Sequence, residues 1–337
     1  MDAGASWGSD ATAWAAAWAD DRAADNAGMH LMIPFAAPLS ESGRQAARGL
    51  VLPTLQALLG TLLLQGRDDG DEWSLSPPHE RALARALDWA GPDGALPWAA
   101  RAAAADGVAV GNLAWGQLSP VHWHLGTEQI SLVDPAGLML DDAASRTFLD
   151  AVRELFVSEG YAMAYGSAER WYIAHDSLAA LPCASLDRVI GRNVDRWLGS
   201  DPAARRIRRL QSEVQMLLYT HPLNDQRQAR GLLPVNSFWL SGCGVLQAEA
   251  VSGMQLDERL RAPALADDWA AWCKACETLD AGPLAALLSA ERAGRAVELT
   301  LCGEKSSATW VRSERGWLER LRSRWSRADW QATLENL

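Results

Sequence analysis

Helix-like and strand-like stretches are interleaved along this chain, and three of the strand-like stretches double back within a few residues. Val121 to Val133 alternates in polarity and turns at Gly126-Thr127. Tyr161 to Ala174 turns at Gly166-Ser167, and Val297 to Trp310 turns at Glu304-Lys305-Ser306-Ser307. Tight hairpins join antiparallel strands, whereas parallel strands need long crossovers. Hairpins mixed with intervening helices therefore predict an α/β protein, open to an α+β arrangement, with a mixed sheet covered by helices.

At 337 residues the chain exceeds the size at which one core usually keeps growing, and two lobes are expected. Residues 1–28 read as an N-terminal extension, either a short helix carrying Trp7, Trp14 and Trp18 or a disordered tail, and translation starts at Met1 or at Met29. Residues 29–182 form the first expected lobe and residues 183–337 the second, with Pro182 at the boundary. The run from His30 to Phe35 is read as the first core strand. Ser42 to Leu64 carries helical spacing interrupted by Pro53, giving one kinked helix or two short ones. Residues 66–78 read as a polar loop, and Pro77-Pro78 opens the next helix. Further helices are expected over Thr147–Phe156, Ala203–Tyr219, Ala264–Cys276 and Trp317–Trp325, and a short strand over Val235–Leu240.

A net charge of -11 sets a repulsive mean field between the protein and any polyphosphate, so nucleic acid is not an expected partner. No apolar run reaches the roughly 20 residues that cross a bilayer. A cytoplasmic protein without membrane association is expected, its five scattered cysteines reduced. Arg205, Arg206, Arg208 and Arg209 read as the solvated face of a helix or as an anion site.

Several residue groups have the composition of a site. His122 and His124 stand two apart on a predicted strand and so share a face, where Glu128 or Asp134 would complete a metal shell. A packing role for both histidines is the competing reading. His175-Asp176-Ser177 holds the residue types of a nucleophilic triad, but adjacent side chains diverge, and a turn with Asp176 or Ser177 as helix cap is preferred. Cys273 and Cys276 have metal or redox spacing without a second pair.

The densest group runs from Arg188 to Gly244. It holds Arg192 and Asn193, an amphipathic helix ending near His221, then Asn224, Arg227, and the block Asn236-Ser237-Phe238-Trp239-Leu240-Ser241-Gly242-Cys243-Gly244. Arg227 has the geometry to grip an anion, Asn236 both donates and accepts, and Gly242 and Gly244 permit close backbone approach. The same residues could instead stitch helix, loop and strand together. His221, Asn224, Arg227, Asn236, Ser237, Trp239, Gly242, Gly244, Arg192 and Asn193 are the candidate ligand-binding residues.

The stretches Leu186–Leu198 and Leu210–Arg227, followed by N-S-F-W-L-S-G-C-G, resemble a proteobacterial family named for the pathogenicity-factor regulator RpfE and often labelled phosphoglycerate-mutase-like. The spacing H-x-x-N-x-x-R, at His221, Asn224 and Arg227, is similar to that of archaeal-type cofactor-independent phosphoglycerate mutases. Asn236, Trp239, Gly242 and Gly244 correspond to a second motif of those enzymes. The mutases use a phosphorylated serine and two divalent metals, and this sequence shows neither their early D-G-x-x-D nor their metal-ligand series. The resemblance implies a regulatory or small-ligand-binding protein without a catalytic serine or metal centre, needing no cofactor. A small anionic metabolite or a protein is then its partner. The alternative is a metal-dependent phosphatase or mutase using a divalent metal at His122, His124 and Asp134.

Overall fold

The computed structural model describes residues 28–127, 129–199, 201–250, 253–312 and 330–337. The expected N-terminal extension up to residue 27, Glu128 and the expected Trp317–Trp325 helix lie outside the described residues. In chain order the strands are β1 (Met29–Ala37), β2 (Leu62–Asp69), β3 (Ala114–Leu125), β4 (Ile130–Val133), β5 (Ala162–Ser167), β6 (Arg170–Ala174), β7 (Ser237–Val245), β8 (Met254–Leu256), β9 (Val297–Gly303) and β10 (Ser306–Arg312).

The chain divides into two compact units, one made of residues 1–70 and 252–337 and the other of residues 71–251. A boundary at Pro182 is therefore corrected. Strands β3 and β7, from either side of residue 182, pair antiparallel from Ala114↔Val245 to Val121↔Ser237, so the segments that the sequence divides belong to one sheet.

The discontinuous unit is built on a mixed sheet in the order β2-β10-β9-β1-β8. Strand β1 is parallel to β9 and β8, and β10 is antiparallel to β9 and β2. The unbroken apolar run at Leu31, Met32 and Ile33 is buried throughout, as expected of a strand covered on both faces. Pro53 splits the preceding helical pattern into Glu41–Arg48 and Pro53–Thr61. The second of these helices has no side-chain cap of its own. Asp280, from the Trp269–Ala281 helix, supplies it by accepting from the amides of Leu55 at 2.8 Å and Thr54 at 3.1 Å. Residues 66–69, expected in a loop, continue β2, whose register runs from Leu62↔Arg312 to Asp69↔Ser306. The strand is an exposed edge, and edge strands tolerate the charges that made it look like a loop.

The continuous unit is an antiparallel sheet in the order β4-β3-β6-β5, with β7 on the other side of β3. Successive residues of β6 alternate between two cores: Trp171 and Ile173 join Leu118, Phe148, Phe156, Leu210 and Phe238, whereas Tyr172 and Ala174 join Trp115 and Ala99. The sheet is thus covered on both faces. Helices Asp142–Val157 and Pro202–Tyr219 contribute to the larger core, and Trp98–Ala105 to the smaller. Both expected hairpins form here, at Gly126-Thr127 and beyond Gly166-Ser167.

Candidate functional site

Most of the polar motif side chains in the continuous unit spend their hydrogen-bonding capacity on backbone. Asn224 is buried at the start of the Pro222–Ala229 helix. Its Nδ2 donates to the carbonyls of Leu218 at 2.9 Å and Val235 at 2.7 Å, and its Oδ1 accepts from the amide of Val235 at 2.9 Å. Asn236 does the same for Trp123, accepting from its amide at 2.7 Å and donating to its carbonyl at 3.0 Å. Arg227, also buried, donates through Nε to the Leu233 carbonyl at 3.0 Å and through a terminal nitrogen to that of Leu138. His221 caps the helix by accepting from Leu223 N–H at 3.2 Å, and Ser237 accepts from Gln215 at 3.3 Å.

Gly242 and Gly244 have φ of 65° and 155°, where side chains are disfavoured. A Cβ on Gly242 would stand 2.8 Å from the amide nitrogen of Ala99, and one on Gly244 3.0 Å from Cβ of Pro97. The glycines thus let the Trp98–Ala105 helix press against β7. Asn193 accepts from Asp195 N–H at 3.0 Å and bridges to Ser131. Arg192 follows Gly191, whose amide donates to the Leu132 carbonyl at 2.8 Å.

Among the described residues, no three His, Cys, Asp or Glu side chains are grouped as metal ligands would be. The His122 and His124 rings are 6.3 Å apart. His122 Nδ1–H donates to the Pro234 carbonyl at 2.9 Å, and burial holds its pKa below the usual value. That bond leaves Nε2 as the ring's lone pair, and Asp134 caps the turn Pro135–Leu138 by accepting from Ala136 N–H at 3.0 Å. The His175 ring, not Asp176 or Ser177, caps its turn, with Nδ1 accepting from Ser177 N–H at 3.0 Å.

Trp239 belongs to a different arrangement. Its Nε1 donates to the Ala184 carbonyl at 2.9 Å, and the residue helps to line a shallow, open cleft. One wall is the segment Leu181–Ala184, another is Trp197–Gly199, and the Pro202–Tyr219 helix supplies Ala204, Ile207, Arg208 and Gln211. Positions 204, 207, 208 and 211 recur at helical spacing, so one face looks into the cleft. Gln211 is anchored by donation to the Phe238 carbonyl at 3.1 Å. The arginine run separates along the same helix. Arg206 and Arg209 pair with Glu159, and Arg209 also with Glu213, on the outer face. Arg208 has no ion pair or side-chain hydrogen bond among the described residues and lines the cleft.

A second polar cluster, not singled out in the sequence, joins the Pro78–Ala86 helix to the turn at Leu186–Val189. His79 Nε2 stands 3.3 Å from Asp187 Oδ2, and Ser185 Oγ donates to Glu80 Oε1 at 2.6 Å. Burial pushes the Glu80 carboxyl up to about 7, against the opposing influence of His79, the Ser185 hydrogen bond and Arg188. Only the adjacency of Asp187 and Arg188 hinted at it, because its two halves lie about a hundred residues apart.

No family model matches the sequence, and no curated protein matches it. Among solved structures, the fold is similar to the cofactor-independent phosphoglycerate mutase from Thermoplasma acidophilum, at 14% identity and a TM-score of 0.37, covering 86% of this chain and 90% of that one. It is also similar to the PH0037 protein from Pyrococcus horikoshii, at 10% identity and a TM-score of 0.44, covering 86% and 87%. Likeness at this level assigns neither activity nor family. No described helix is long and apolar enough to cross a membrane.

Proposed function

We propose that this protein binds a small anion with an apolar body in the cleft beside Trp239, and that it serves a regulatory rather than a catalytic role. The observation that carries the reading is Arg208, a guanidinium without a protein partner among the described residues, in a cleft otherwise lined largely by apolar side chains. A guanidinium there can engage a carboxylate or phosphate with two parallel hydrogen bonds. The Trp197 and Trp239 rings offer apolar faces to the rest of such a ligand.

In this reading Trp239 is the motif residue that meets the ligand. His221, Asn224, Arg227, Asn236, Ser237, Gly242, Gly244, Arg192 and Asn193 act by holding the walls in place. The motif resemblance to the RpfE family supports a regulatory role. A thermal-shift series with phenyl phosphate, benzoate and the uncharged phenol tests the reading. Stabilisation by the two anions and not by phenol is expected, and no response to either anion at millimolar concentration would refute it.

A further inference from the structure

We infer that Cys183 and Cys243 form a reversible redox pair, in which Cys183 meets the oxidant and Cys243 closes the disulfide. Their sulfurs stand 3.6 Å apart although the residues are sixty positions apart in sequence. Cys183 is partly exposed and lines the cleft, whereas Cys243 is fully buried in β7. One thiol is thus reachable from solution while its neighbour is reachable only through it. A disulfide needs the sulfurs about 1.5 Å closer, at ~2.05 Å.

The Cys243 side has features that accommodate this movement. Cys243 is flanked by Gly242 and Gly244, and the β3–β7 register shifts between Trp115 and Gln117 beside it. Gly116 leaves space around the sulfur, since a Cβ there would lie 3.0 Å from Cys243 Sγ. The Cys183 amide donates to the Gly94 carbonyl at 2.9 Å, which anchors the non-strand segment that carries the other sulfur.

The chemistry balances with a hydroperoxide as the oxidant. Cys183 attacks the peroxide, the O–O bond breaks, and one oxygen passes to its sulfur while the other leaves as water or an alcohol. The Cys243 sulfur then attacks the sulfenic sulfur, the S–O bond breaks, and the departing hydroxide takes the Cys243 proton as water. Two thiols lose two electrons and the peroxide gains them. The Cys183 hydrogen bond and burial hold the Cys243 thiol well above its ordinary pKa, so closure accelerates as pH rises.

Full-chain protein treated with hydrogen peroxide and mapped without reduction tests the pair. A peptide linking Cys183 to Cys243, lighter by two hydrogens and restored by dithiothreitol, is expected. Cys243→Ser should accumulate a sulfenic acid at Cys183 that a dione probe captures. Oxidation of Cys183 to the sulfinic acid in the native protein with Cys243 still a free thiol would overturn the inference, as would a Cys183 inert to peroxide. The mapping uses the unmodified chain, so it does not depend on any variant folding.

Discussion

Asn224 and Val235 are joined through both functional atoms of the Asn224 amide, which gives and receives a hydrogen bond with the Val235 backbone. Asn236 holds Trp123 in the same way. Each side chain imitates a neighbouring strand, completing pairing where the chain between helix and β7 offers no regular partner. A side-chain amide suits this because its donor and acceptor are spaced like those of a peptide group.

Truncating the Asn224 amide should therefore cost stability. Asn224→Ala leaves buried backbone groups of Leu218 and Val235 without partners, and about 3 kcal/mol of unfolding free energy should be lost. Asn224→Asp should be worse, since a carboxylate would face two carbonyl oxygens. Urea unfolding of the three proteins measures both effects, and an Asp variant as stable as the native protein would contradict the assignment.

Gly242→Ala should destabilise by about 2 kcal/mol or more. The new Cβ meets the Ala99 nitrogen at 2.8 Å and the backbone is held at φ 65°. Gly231→Ala provides the control, because its φ is 74° and its added Cβ would meet nothing within 4 Å. Thermal unfolding should show a markedly larger loss at Gly242 than at Gly231.

The Glu80 carboxyl gives a pH dependence whose sign is fixed. Its folded pKa of about 7 lies above the unfolded value of 4.5, so its contribution is fully present below about 4.5 and is lost as pH rises through about 7. The shift corresponds to roughly 3 kcal/mol. Glu80→Gln should remove this slope, flattening stability between those limits relative to the native protein. Unfolding free energies measured from pH 5 to 8 check it.

His30 has the opposite sign. Burial lowers its pKa from 6.5 to about 4, and its Nε2 lies 2.8 Å from Thr300 Oγ1. The resulting stability is present above 6.5 and lost as pH falls through about 4. His30→Gln, which can keep a hydrogen bond to Thr300, should remove roughly 3 kcal/mol of acid sensitivity. Stability measured between pH 7 and 4 would show a shallower decline for the variant.

The sequence was most legible where local pattern decides structure. The hairpin turns, the break at Pro53 and the amphipathic Pro202–Tyr219 helix follow from spacing and turn chemistry. The mixed sheets and two-unit architecture were equally foreseeable. What escaped depends on contacts distant in sequence. The pairing of β3 with β7 makes residues 71–251 one unit, and nothing near Pro182 signals it. The residue types of the dense polar motif could not show that Asn224 and Asn236 turn towards backbone. In the arginine run, helical phase separates Arg208 from Arg206 and Arg209, but only the packing shows which face meets a cleft.

Isothermal titration of phenyl phosphate into the native protein and into Arg208→Gln tests the central claim most directly. Binding by the native protein at one site, weakened about tenfold or more in the variant, is the predicted result, since a charge-assisted pair contributes roughly 1.5–3 kcal/mol. Equal affinity in the two proteins, or no heat of binding in either, would contradict the assignment of the cleft.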